Sequence, residues 1–120
     1  MRHLLLAVSL ALSACLGASM PASAQTATGC QAGETPGYVF GFADLYVWLG
    51  ETMGSPTSCE YADPNGTGDT EQNTTVGLAF WRKSTNTPTF TNGWTHWALT
   101  PAGQLTWEGA SIDPPPNAVV

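Results

Sequence analysis

One periodic run of apolar residues stands out along the chain, between positions 40 and 53. Apolar side chains recur there at intervals of three and four residues, namely at Phe42, Leu45, Tyr46, Leu49 and Met53. A single apolar stripe at this period predicts an amphipathic helix over 40–53. Gly50 weakens the last turn of that helix, and Gly54 and Pro56 end it.

From Gln72 onward the pattern changes to short β-type segments separated by turn residues. The predicted strands span 57–61, 76–81, 87–91, 94–100 and 104–108. Asn92-Gly93 is a favoured hairpin dipeptide, and the segment 63–71 is a loop rich in Asp, Asn and Gly. The pattern predicts an α+β domain, with one helix packed on an antiparallel β-meander of four to five strands.

The N-terminal segment is typical of export rather than of a folded domain. A short basic start, an apolar run over 4–14 and an Ala-Ser-Ala pattern ending at Ala24 predict a signal peptide over 1–24. The apolar run is about half of the roughly 20 residues that a spanning helix needs, so we expect no transmembrane span in the mature form. The alternative is a lipobox-like pattern ending at Cys15, which would make Cys15 a lipid anchor.

The rest of the chain divides into three parts. Residues 25–38 are small and polar and form a lead-in, residues 39–108 form the single α+β domain, and residues 109–120 form a Pro-rich tail. We expect this tail to be extended or flexible, because it has little to bury. A chain of 120 residues has room for one domain, which excludes multidomain enzymes and doubly wound dinucleotide folds.

Charge and cysteine content narrow the picture further. Nine acidic against three basic residues give a formal charge of −6, and loss of Arg2 with the signal peptide leaves two bases against nine acids, or −7. Nucleic acid selects clustered Lys and Arg, so we exclude it as a partner. Cys15 is removed or lipidated, which leaves Cys30 and Cys59 to form one disulfide in an oxidising compartment.

The sequence offers little for catalysis. His96 is the one histidine of the mature chain, it lies within a predicted strand, and no Gly-x-Ser-x-Gly elbow is present. Carboxylates are present at Glu60, Asp63, Asp69, Glu71 and Glu108. A pair of them would suit glycoside hydrolysis, but any acidic domain offers as many. We therefore predict a protein that is not an enzyme and has no cofactor, with His96 in a structural role.

The acidic loop has the spacing that comes nearest to a metal site. Oxygen-bearing side chains alternate there, as in an EF-hand loop, and the candidate calcium ligands are Asp63, Asn65, Thr67 and Asp69. Pro64 and Thr74 depart from the EF-hand pattern, at its second and twelfth positions. The alternative is an ordinary Asx- and Gly-rich turn with solvated acids.

Tryptophan is the most unusual feature of the composition. Five tryptophans lie in the mature chain, and four of them fall in the predicted sheet, namely Trp81, Trp94, Trp97 and Trp107. Because one face of the sheet packs on the helix, we expect some of these rings on the other face, exposed for stacking on sugar rings or for anchoring a protein. Asn92 would supply hydrogen bonds beside them. The alternative is that loops or the tail cover the rings.

Three short motifs, at 49–56, 72–81 and 90–97, carry a resemblance. A helix ending in Leu-Gly, a Gly-x-Pro turn and aromatic hairpins together resemble a family of small secreted bacterial modules rich in Trp and Gly, and are similar to LGFP-type cell-wall repeats. The resemblance implies association with the cell envelope, and it supplies no catalytic residues.

These observations lead to one expected function and one alternative. The first is a binding module, secreted or attached to the envelope, for cell-wall or other polysaccharide. The alternative is an extracytoplasmic protein-interaction or inhibitor domain.

Overall fold

The computed structural model describes residues 26–118 of the chain. The predicted signal peptide and the alternative lipidation site at Cys15 lie outside the described residues, as do the last two residues of the predicted tail. Within residues 26–118, no helix is long and apolar enough to cross a membrane.

The predicted helix is present, but it is shorter than its apolar stripe. α1 spans Phe40–Leu49, and a 3₁₀ turn over Gly50–Thr52 follows it. Gly50 has a φ of 51°, a left-handed conformation in which an L side chain is strained. The glycine therefore ends the α-helix one turn earlier than the periodicity predicts, and the 3₁₀ turn carries Met53 into the core.

Six antiparallel strands form one sheet, and each pairs with the next along the chain. The strands are β1 Tyr61–Ala62, β2 Thr70–Asn73, β3 Leu78–Arg82, β4 Thr87–Thr91, β5 Thr95–Thr100 and β6 Gly103–Glu108. The α+β class and the helix on an antiparallel meander are therefore confirmed. The sheet has six strands rather than the four to five predicted.

The additional strand pairing lies at the start of the sheet, where a loop was predicted. β2 has the polar sequence Thr-Glu-Gln-Asn and no apolar alternation. The side chain of Gln72 in this strand is fully buried, and its Nε2 donates to the carbonyl oxygens of Gly37 and Ser58 at 2.8 and 2.9 Å. A buried amide that binds the backbone takes the place of an apolar side chain, so a search for hydrophobic alternation misses the strand.

One face of the sheet packs against α1 and contains most of the apolar core. The buried members of this core are Phe42, Leu45, Met53, Ala79 and Phe90. At the start of the helix, Gly41 lies so close to the Pro88 ring of β4 that a Cβ on the glycine would overlap it. This contact brings the first turn of α1 down onto the sheet.

The other face of the sheet is more polar, and it is also largely buried. Its buried residues are Phe80, Thr89, Thr91, His96, Ala98 and Trp107. The chain after β6 lies against this face and forms hydrogen bonds with two of them. The Nε2 of His96 donates to the carbonyl oxygen of Gly109 at 2.7 Å, and the indole N–H of Trp107 donates to the carbonyl oxygen of Ser111 at 2.9 Å.

An ion pair completes the cover of this face. The Arg82 guanidinium lies 2.6 Å from the carboxylate of Asp113, and it also lies over the ring of Phe80, 5.2 Å from the ring centroid. The tail was expected to be extended or flexible, with cover of the rings by loops or the tail as the alternative. These particular contacts were not predicted, because each one joins a side chain of the sheet to a residue with no hydrophobic signal.

Cys30 and Cys59 form the predicted disulfide, with Cα atoms 4.9 Å apart. The bridge spans 29 residues of sequence and encloses α1, so the chain-entropy account assigns it about 3–4 kcal/mol of stabilisation. The hydroxyl of Tyr38 adds a second tie by donating to the carbonyl oxygen of Gly54 at 2.8 Å. Burial raises the pKa of Tyr38 to about 12. The lead-in is therefore held covalently and by hydrogen bonds.

Candidate functional site

The four tryptophans predicted in the sheet do not share one environment. Trp94 is 59% exposed at the tip of the β4–β5 hairpin. Trp97 is half-buried on the helix side, where its ring stacks on Phe90 with centroids 5.7 Å apart. Trp81 is also half-buried on the helix side. The four rings therefore do not form one platform.

Some tryptophan rings were expected to be exposed on the sheet face opposite the helix, and Trp107 does not fit this expectation. Its side chain does lie on that face, but it is only 6% exposed because the tail covers it. His96 lies next to it across the strand pair, with ring centroids 5.3 Å apart, and is 0% exposed. Trp107 therefore cannot stack on a ligand while the tail is in place, and His96 is inaccessible to a substrate.

Asn92 shapes the hairpin that carries Trp94. Its side-chain Oδ1 accepts hydrogen bonds from the backbone N–H groups of Trp94 and Thr95, at 3.0 and 2.8 Å. Its own N–H donates to the carbonyl oxygen of Thr95, so Gly93 and Trp94 form the tip of the turn. The turn lies one residue later than the predicted Asn92-Gly93 turn. The side-chain oxygen of Asn92 already accepts two hydrogen bonds within the loop.

A cleft of about 260 Å³ lies between the first turn of α1 and the β1 edge of the sheet. Thr70, Trp81 and Pro88 stand side by side on β2, β3 and β4 and form its sheet wall. Phe40 and Gly41 contribute the helix wall. The volume is just below the roughly 300–1,000 Å³ of pockets for drug-sized ligands, so the cleft suits a single small ring.

The aromatic walls of the cleft are Trp81 and Phe40. The indole N–H of Trp81 donates to Oδ1 of Asn86 at 2.8 Å, which holds the ring at the cleft. Phe40 is 87% exposed, and its φ is +50°, a left-handed conformation that is rare for a bulky residue. Such strain costs of the order of 1–2 kcal/mol, and it places an aromatic side chain where folding gains little from it.

The polar groups of the cleft are Glu60, Thr70 and Asn86. Glu60 directly precedes β1 and is partly buried, and this burial raises the pKa of its carboxyl group above the ordinary value. It is the one ionisable side chain among the residues that line the cleft. An aromatic wall beside a carboxylate, a hydroxyl and an amide can bind a ring that has apolar faces and hydroxyl edges.

The acidic loop forms a network of internal hydrogen bonds. Asp63 accepts from the backbone and side-chain N–H groups of Asn65 at 3.0 and 3.2 Å, and from the Thr67 hydroxyl at 2.7 Å. These donors lower the pKa of Asp63. Asp69 accepts from the backbone N–H of Lys83 at 3.0 Å. In the part of the chain that the structure describes, no three His, Cys, Asp or Glu side chains group as a metal site.

Comparisons of this chain with protein-family models, with curated proteins and with solved structures found no match.

Of the predicted ligand-binding residues, the structure places only Trp81 in the cleft. Phe40, Thr70 and Asn86 were not predicted as site residues, and Glu60 was considered only as one carboxylate among several. One signal was available, because Phe40 is a large apolar residue outside the helix stripe. Nothing in the order of residues indicates that 40, 60, 70 and 81 meet.

Proposed function

We propose that this protein is a non-enzymatic binding module, secreted or associated with the cell envelope, that binds cell-wall or other polysaccharide in the cleft beside Trp81. The observation that carries the proposal is the pairing of the Trp81 ring, held by Asn86, with the exposed and strained Phe40. Aromatic side chains next to a few convergent polar groups are what recognition of a sugar ring requires.

Three further observations support an extracytoplasmic setting. The Cys30–Cys59 disulfide persists in oxidising compartments and is rare in the cytosol. The signal-peptide pattern over 1–24 and the resemblance to secreted modules agree with it. Mass spectrometry of the exported protein distinguishes the two forms, since cleavage after Ala24 leaves an unmodified N-terminus and the lipobox leaves an acylated Cys15.

The test is calorimetric titration of the purified, disulfide-bonded protein with solubilised peptidoglycan and polysaccharide fragments. We expect Phe40→Ala to weaken binding at least tenfold without affecting the fold, because that side chain is 87% exposed. Trp94→Ala is the matched control, since it removes the exposed aromatic ring of the hairpin tip. We expect the control to bind as the wild type does.

Trp81→Phe tests the cleft from its other wall. The variant keeps an aromatic ring but loses the hydrogen bond to Asn86, so glycan binding should weaken. The far-UV circular dichroism, which reports secondary structure, should stay unchanged. Binding that is lost in Trp94→Ala and kept in both cleft variants would move the site to the hairpin. Binding of none of the fragments would overturn the proposal.

The second candidate function is a protein-interaction or inhibitor module, and the outer side of α1 favours it. Val47 is 87% exposed there, on the same side of the helix as Phe40 seven residues earlier. A protein partner drawn by the charge of −7 on the mature chain should associate more slowly at high salt, whereas binding of a neutral glycan should persist. Val47→Ser would weaken contact with a protein partner and leave glycan binding in the cleft intact.

A further inference from the structure

If the cleft binds a sugar, as proposed above, the charge around it indicates which class of sugar it binds. Beside the cleft lies a second cavity of about 230 Å³, lined by Glu34, Val39 and Glu60 among others. Glu60 lines both cavities and so stands between them. Neither cavity is lined by a Lys, Arg or His side chain. We call the two cavities that share Glu60 the acidic groove, because their linings hold the carboxylates of Glu34 and Glu60 and no cationic side chain.

The Lys and Arg side chains of residues 26–118 do not line either cavity. Arg82 lies on the opposite face of the sheet and pairs with Asp113. Lys83 lies in the turn after β3, with its side chain next to Gly68. No side chain described here thus neutralises Glu60, whose carboxylate is partly removed from water beside two aromatic rings.

A positively charged ligand would best complement the Glu60 carboxylate and the two aromatic rings beside it. An ammonium group is attracted both to a carboxylate and to the face of an aromatic ring, and each attraction is stronger where water is partly excluded. A uronic acid or another anionic sugar would instead be repelled by Glu60 and by the net charge of −7 on the mature chain.

We infer that the groove recognises an oligosaccharide of amino sugars with free amino groups, with an ammonium group placed at Glu60 between the two cavities. Trp81 and Phe40 then contact the ring of one sugar unit, and the neighbouring cavity beside Glu34 receives the next unit.

The test measures the binding affinity of the purified protein for three oligosaccharides by calorimetric titration. It is done at low salt and about pH 6, where the amino groups of the sugar are mostly protonated. The three probes are a hexamer of glucosamine, the hexamer of N-acetylglucosamine and an oligogalacturonate, which are cationic, neutral and anionic. We expect the cationic hexamer to bind at least tenfold more tightly than the neutral one and the anionic oligomer not to bind. Added salt should reduce this preference.

Two charge-matched variants locate the preference. Glu60→Gln should remove the tenfold difference by weakening the cationic hexamer alone. Glu108→Gln removes the same charge from β6, at the opposite edge of the sheet, and should leave the difference in place.

Equal binding of the cationic and neutral hexamers by the wild type would overturn this inference and leave the proposed function standing. A preference for the anionic oligomer would also overturn it. Failure of all three probes, and of the peptidoglycan fragments as well, would overturn the proposed function with it.

Discussion

The two faces of the sheet are both buried, but they are buried by different means. The face toward α1 is covered by a helix that packs Leu45 and Met53 against Phe90. The other face carries Thr89 and His96 in its interior and is covered by a segment without regular structure. Apolar area stabilises the first face, and individual hydrogen bonds hold the cover of the second.

This difference shows what each cover can tolerate. Apolar packing has no preferred direction, so the helix can stay packed on the sheet even though a cleft opens at one end of their contact. The tail side depends on particular carbonyl oxygens, such as that of Gly109 beside His96, which must be in place for the buried donors to be satisfied. The helix cover is also tied through the disulfide, whereas hydrogen bonds and one ion pair hold the tail.

The largest effect should come from the centre of the helix-covered face. Phe90→Ala removes a fully buried ring that contacts both the helix core and Trp97. We expect the free energy of unfolding to fall by about 3–5 kcal/mol, measured by urea denaturation of the oxidised protein. A loss below about 1 kcal/mol would mean that the helix does not depend on this packing.

Removal of the tail should have the next largest effect. A chain that ends after Ala110 uncovers Trp107 and loses the acceptor at Ser111. We expect the free energy of unfolding to fall by about 2 kcal/mol, because exposure of the indole is partly offset by the freedom that the tail regains.

Acrylamide quenching provides the structural measurement for that truncation. One further tryptophan should become accessible, while secondary structure stays intact. Asp113→Asn is the control, because the Asp113 side chain is 70% exposed and its ion pair should contribute no more than about 1 kcal/mol. Unchanged quenching in the truncated chain would show that the tail does not shield Trp107.

A smaller effect of opposite sign is expected at the mouth of the cleft. Phe40→Gly relieves a left-handed backbone conformation and removes a side chain that buries little, so we expect a gain of about 0.5–1 kcal/mol together with lost glycan binding. Val47→Gly is the matched control, equally exposed but in the helix interior, and it should lose about 0.5 kcal/mol because glycine is a poorer helix former than valine. A lower free energy of unfolding in Phe40→Gly would show that the backbone at Phe40 is not strained.

The smallest effect concerns pH and the cleft carboxylate. Burial raises the pKa of Glu60 in the folded state, so the wild type loses stability as pH rises through that pKa and the carboxylate ionises. Glu60→Gln has no such loss. Urea denaturation should show the variant gaining on the wild type at pH 7 and not at pH 3, and an equal difference at both values would contradict the assignment.

The sequence predicts much of the fold and little of the site, and particular residues show why. Thr87–Thr91 was predicted to its exact bounds, because local propensity and a following turn act together there. β2 was missed, because Gln72 is buried through hydrogen bonds to distant carbonyl oxygens. Trp107 was predicted as one of four candidate exposed rings and is buried instead, because the chain after β6 covers it.

The order of residues by itself determined the α+β class, the helix stripe, the succession of hairpins and the pairing of Cys30 with Cys59. Each of these depends on local periodicity, turn chemistry or a count of two cysteines. Only the tertiary structure decided which tryptophans are covered, and that Phe40, Glu60 and Trp81 line one cleft. Those outcomes depend on how closely Gly41 approaches Pro88 and on where the chain after β6 folds back, and neither is indicated by a local period or a turn dipeptide.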